Sequence, residues 1–177
     1  DAWLEAKASA IKPSTLAHYG LLADTYIRPT LGQLPLTKVT PQRVQQLYTT
    51  LQAENHHRTA RLVHCILHQA LGLAVRWDWL AGNPTERVDS PRWRPARKEM
   101  WTREELQAFL DGTRDSWWHN LWVFLIASGC RLGEALALEY GDIDLRRGAV
   151  TVCKSGQRVS GKWVVGSTKT HSGIRQV

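Results

Sequence analysis

The feature that most constrains this chain is a stretch from 58 to 77 whose apolar residues recur at helical spacing. Leu62, Val63, Ile66, Leu67, Ala70, Leu73, Ala74 and Trp77 fall on one side of a helix drawn through it. Arg61, His64, His68 and Arg76 line the opposite side. An apolar arc this wide is stable only when packed on other helices, so the neighbouring sequence must provide them. Upstream, Leu16, Tyr19, Ala23, Tyr26 and Ile27 form one side of a helix that Ser14 can cap and that should stop before Pro29. Thr40 followed by Pro41 is a cap and first turn, after which Val44, Leu47, Tyr48 and Leu51 repeat at i, i+3, i+4 and i+7. The first 88 residues therefore read as a helical domain.

Residues 89–98 read as a linker before a second domain at 99–177. Pro91 and Pro95 stiffen it, and Arg92, Arg94, Arg97 and Lys98 make it cationic, so it is suited to lie along phosphates. Thr102 and Glu105 form a capping box that opens a short helix through Leu110. The stretch 118–127 is apolar nearly all round, which predicts a buried helix. Beyond Gly141 the pattern shortens to β-type runs at 149–153, 162–165 and from Ile174, as in an antiparallel meander. The fold class expected is mainly α with a small antiparallel sheet.

The chain carries 23 Lys and Arg against 16 Asp and Glu, a formal net charge of +7. Residues 145–177 hold seven of the basic residues and no acid. A positive stretch without interleaved acids points to a polyanion, most simply nucleic acid. Cys65, Cys130 and Cys153 are odd in number and form no C-x-x-C pair, so they read as reduced thiols. No apolar run is long enough to span a membrane, and no signal peptide is evident at the start. His64 and His68 have the i, i+4 spacing of a metal pair, but no carboxylate or thiolate joins them in a recognisable pattern. Their stripe serves equally as a solvated face or as one laid on a DNA backbone. No metal and no cofactor is expected.

The densest chemistry lies in Ser128-Gly129-Cys130-Arg131-Leu132-Gly133-Glu134. A glycine ends one helix, an arginine opens the next, and a glutamate follows on the same face; Leu132, Ala135 and Leu136 should be the buried residues of the new helix. A cation is disfavoured at a helix N-terminus, where backbone N–H groups lack partners and the dipole is positive. Arg131 there adds to a position already suited to anions. On these residues alone, a solvated arginine starting a surface helix and an anion site both remain open.

Three blocks resemble the tyrosine site-specific recombinases, the phage-integrase family. Pro13-Ser14-Thr15 through Pro29-Thr30-Leu31-Gly32, with the long helix and Trp77-Asp78-Trp79-Leu80-Ala81-Gly82-Asn83-Pro84, is similar to the family's helical core-binding domain. The Arg131 segment, continuing through Leu138-Glu139-Tyr140-Gly141-Asp142-Ile143-Asp144, resembles its first arginine box. Ser167-Thr168-Lys169-Thr170-His171-Ser172-Gly173-Ile174-Arg175 resembles the hairpin that carries its lysine. The resemblance implies DNA cutting and rejoining through a 3′-phosphotyrosyl link, with Arg131, Lys169 and Glu134 as the catalytic residues. Arg61, His64, His68, Arg76, Arg92, Arg94, Arg97, Lys98, His171 and Arg175 are the candidate DNA contacts. It also implies double-stranded DNA and further protomers, in a tetrameric synapse, as partners, and a cytoplasmic, nucleoid-associated protein of bacterial or phage origin. The family's His-x-x-Arg box and nucleophilic tyrosine do not occur before Val177, so the expectation is a fragment with a partial catalytic domain, inactive alone. A regulator that only occupies DNA is the alternative.

Overall fold

In the computed structural model, which describes residues 1–159, 161–167 and 173–177, the chain divides into two units, Asp1–Arg97 and Lys98–Val177. The first unit is built from five helices: α1 (Ala2–Lys7), α2 (Pro13–Leu22), α3 (Arg28–Leu31), α4 (Pro41–Ala53) and α5 (His57–Arg76). Two short 3-10 turns, Leu36–Lys38 and Pro84–Arg87, complete it.

Helix α5 is amphipathic on a broader arc than its spacing alone indicates, because it feeds two clusters. Ala60, Val63, Leu67 and Leu71 join Val44, Leu47, Tyr48 and Leu51 of α4 and Leu31 of α3. Ile66, with half-buried Leu62, Ala70 and Leu73, packs on Trp3 and Leu22. Each fully buried aliphatic side chain of this kind contributes about 1.5–3 kcal/mol. Trp77, expected on the buried face, is 41% exposed and meets Trp79 edge-on at 4.9 Å, because α5 ends one residue earlier.

The α2 helix does not stop before Pro29. It passes through a π turn, Ala23–Ile27, directly into α3, with the Arg28 N–H reaching back to the Ala23 carbonyl. A proline inside a regular α-helix lacks a donor and its ring strikes the carbonyl four residues back. The wider π turn shifts the register so that Pro29 falls in the first turn of a new α-segment. The Thr30 hydroxyl donates to the Tyr26 and Ile27 carbonyls at 2.8 and 3.1 Å. Pro13, not Ser14, opens α2, with Lys12 at the cap position. Thr40 caps α4 as expected.

The second unit holds α6 (Arg103–Gly112), α7 (His119–Ser128), α8 (Leu132–Ala135), a 3-10 turn at Tyr140–Asp142, and five short strands: β1 (Ile143–Asp144), β2 (Ala149–Val152), β3 (Lys154–Val159), β4 (Lys162–Ser167) and β5 (Arg175–Gln176). The Thr102–Glu105 capping box is present, at 2.8 and 3.2 Å. The strands are antiparallel but do not form a meander. β5 returns to pair with β2, giving the order β1-β2-β5, while β3 and β4 form a separate hairpin. Helix α7 is not buried: Val123 and Ile126 are each 40% exposed, since the described residues of this unit cover only part of its apolar circumference. Among the described residues no helix is long and apolar enough to cross a membrane.

Candidate active site

Gly129 closes α7 in the left-handed conformation, at φ 62°, which an L side chain rarely adopts. The chain reverses there and presents Arg131 at the N-cap of α8 in an extended conformation. Glu134 reaches back to this cap. Its carboxylate accepts the Arg131 backbone N–H at 2.9 Å and Arg131 Nη1 at 2.8 Å. The burial pattern of α8 reverses the expectation. Leu132 and Leu136 are exposed, whereas Glu134 is only 2% exposed and Ala137 is buried. The buried carboxylate is tolerated because Arg131 and Arg175 both pair with it.

The third partner comes from the other end of the unit. Arg175 Nη2 donates to Glu134 Oε2 at 2.9 Å, and its Nη1 donates to the Gly173 carbonyl at 3.2 Å. β5 brings it there, since Arg175 pairs across the ladder with fully buried Val152 of β2. Burial pushes the Glu134 carboxyl up, but hydrogen bonds from Arg175 and Arg131 outweigh it and hold it at about 2. The carboxylate is therefore charged at neutral pH. Two guanidinium groups share one carboxylate, so the cluster keeps a net positive charge. The Arg131 side chain is 67% exposed and faces solvent with that charge.

Close backbone contact holds the β3–β4 hairpin against α8. A Cβ on Gly133 would lie 2.7 Å from the Gly156 carbonyl oxygen and 2.8 Å from Ser155 Oγ. On the hairpin, the Trp163 indole lies across Gly156. Beyond α8, Lys154 Nζ bridges Glu139 at 2.9 Å and Asp142 at 3.0 Å, tying β3 to the turn after the arginine helix. Hydrogen bonds from the Glu139 backbone and Lys154 hold Asp142 below the usual carboxylate range. Lys169 and His171 lie outside the described residues.

In the first unit the candidate DNA-contact stripe is largely engaged with its own protein. Arg61 Nη1 donates to Ser90 Oγ at 2.8 Å. His64 is half-buried, 3.1 Å from the hydroxyl of fully buried Tyr48, and burial, then Arg61 and His68, lower its pKa. His68 Nδ1 lies 2.9 Å from Thr85 Oγ1, whose own proton goes to Asn83 Oδ1 at 2.7 Å, so His68 is the donor. Arg76 is exposed. Among the described residues, no three His, Cys, Asp or Glu side chains cluster as metal ligands.

The linker is not free along its whole length. The Asp89 N–H meets Gln45 at 2.9 Å, Pro91 is buried, and Arg58 sits 5.5 Å over the Trp93 ring. Arg92, Arg94, Arg97 and Lys98 are exposed. Of the four tyrosines, Tyr48 is buried, Tyr19 stacks on Trp3 and Tyr26 meets His56 edge-on. Tyr140, in the 3-10 turn after α8, is 97% exposed among the described residues.

Residues 1–91 match the family model described as the phage integrase central domain. The chain belongs to the phage integrase family of tyrosine recombinases. This integrase-family chain is 27% identical over its whole length to a prophage phiRv2 integrase of Mycobacterium tuberculosis, covering 46% of that protein. It is 29% identical to the prophage integrase IntR of Escherichia coli over 68% of the chain and 29% of the relative. The chain thus spans less than half the length of the curated relatives it matches. In fold it is similar to the Tn1549 transposon integrase solved with a circular intermediate DNA, at a TM-score of 0.78 and 19% identity, over 98% of this chain and 58% of that one. A lambda integrase dimer bound to a COC′ core site gives 0.75 and 21%, over 98% and 64%. The recombinase fold implied by the three resembling blocks is the fold observed.

Proposed function

We propose that this chain is part of a site-specific recombinase that cuts and rejoins double-stranded DNA. The observation that carries the reading is Arg131: a solvent-facing guanidinium at a helix N-cap, held by a buried glutamate, in a cluster that stays net positive. Phosphoryl transfer depends mainly on positioning and on stabilising charge at the non-bridging oxygens. A guanidinium is always charged and can grip two of those oxygens together. A tyrosine hydroxyl attacks the phosphorus, the bond to the 5′-oxygen breaks, and a proton passes to that oxygen, from Lys169 in this reading. One phosphodiester is exchanged for another, so no external energy source enters. The attacking tyrosine is none of Tyr19, Tyr26, Tyr48 and Tyr140, and the 177 residues alone are proposed to be inactive. The protein works on DNA in the cytoplasm, with further protomers of its own kind joining on the DNA, as the lambda integrase tetramer does on a Holliday junction.

The helical unit and residues 92–98 are proposed to hold the duplex through its phosphates. If about five phosphates are neutralised, the logarithm of affinity should fall against the logarithm of salt with a slope of about −4 to −5. Replacing Arg92, Arg94, Arg97 and Lys98 together by glutamine should flatten that slope and leave base preference intact, because phosphate contacts position the protein without reading sequence. Titration of a labelled duplex at several salt concentrations checks both. An affinity nearly independent of salt would remove DNA from the reading.

A further inference from the structure

Arg175 reads from sequence as a phosphate contact, yet in the structure its guanidinium turns inward to Glu134. We propose that Arg175 is a positioning residue, which sets the Arg131 guanidinium through the Glu134 carboxylate that both arginines share. The inference rests on the reading of Arg131 as the group that works on the phosphate.

Three observations carry it. Glu134 Oε1 accepts Arg131 Nη1, while Oε2 accepts both the Arg131 N–H and Arg175 Nη2, so Arg175 fixes the rotation of the carboxylate that orients Arg131. Arg175 is itself fixed by its bond to the Gly173 carbonyl and by the pairing of β5 with β2, and the Cys130 thiol lies against its guanidinium. The charge count gives the second effect. Arg175 also offsets the Glu134 charge that would otherwise cancel that of Arg131, an effect that exists only while the carboxylate is there.

Single-turnover cleavage of a nicked duplex by the full-length protein tests the proposal. Arg175→Gln should slow cleavage about tenfold or more, while duplex affinity and its salt slope stay within twofold of wild type. Arg175→Lys, which keeps the charge but loses the fork, should recover part of the rate. In a Glu134→Gln background, Arg175→Gln should cost less than a further twofold, because the two residues act through one carboxylate. Rate and affinity falling together would make Arg175 a DNA contact, and additive losses would make it independent of Glu134; either overturns the proposal. A wild-type protein that does not cleave would fail the recombinase reading instead. The carboxyl 13C titration of Glu134 in the 177-residue chain then still decides the coupling. Arg175→Gln should move that titration upward by at least one pH unit, and an unchanged midpoint would refute the link even if the variant is less stable.

Discussion

Replacing Arg131 by alanine is expected to slow strand cleavage by the full-length protein at least about a hundredfold, with little change in DNA affinity. The size follows from what is lost. A preorganised donor aimed at developing negative charge is worth about 10² to 10³ in rate, and Arg131 supplies it without reorganising, because Glu134 already holds it. Affinity should hardly move, because one phosphate contact among several disappears. The substitution also leaves Glu134 with Arg175 as its remaining guanidinium partner, so the buried charge stays compensated and the unit should still fold. Single-turnover cleavage beside an equilibrium titration separates the two effects. Equal losses in both would make Arg131 an ordinary docking residue.

Lys169→Ala should slow cleavage about 10²- to 10⁴-fold on ordinary DNA, the range for a positioned general acid. The departing 5′-oxygen would otherwise leave as a strongly basic alkoxide. A thiolate, whose conjugate acid has a pKa of about 8.5, leaves without that help. On a duplex with sulfur in place of the bridging 5′-oxygen, Lys169→Ala should therefore recover most of the wild-type rate. Arg131→Ala should not recover, since it acts at the non-bridging oxygens. Failure of sulfur to rescue Lys169→Ala would place the acid elsewhere and leave the lysine as a DNA-positioning group.

What was legible in the sequence was what short-range chemistry dictates. The α4 spacing of Val44, Leu47, Tyr48 and Leu51, the Thr102–Glu105 capping box and the Gly129 turn before Arg131 all depend on neighbours within a few positions, and each stands as read. The Arg131–Glu134 pair belongs to the same class, three residues apart on one turn. The inward turn of Arg175 did not, because its partner lies 41 positions away and only the return of β5 to β2 brings them together. The hydrogen-bond partners of His64 and His68 were not legible for the same reason, since Tyr48 and Thr85 reach them from other elements. Pro29 read as a helix stop because a π turn leaves no mark in apolar spacing. Helix α7 read as buried because composition reports how apolar a surface is and not what covers it.

The central claim is a covalent exchange at phosphorus assisted by Arg131, and the linkage formed on DNA tests it most directly. The full-length protein, incubated without metal ions with a nicked duplex selected for tight binding, should give a denaturant-resistant adduct. Protease should reduce it to a peptide on a 3′-phosphate, opposite a free 5′-hydroxyl, and the 177-residue chain alone should give none. Cutting that requires magnesium and leaves no protein on either end would contradict the account.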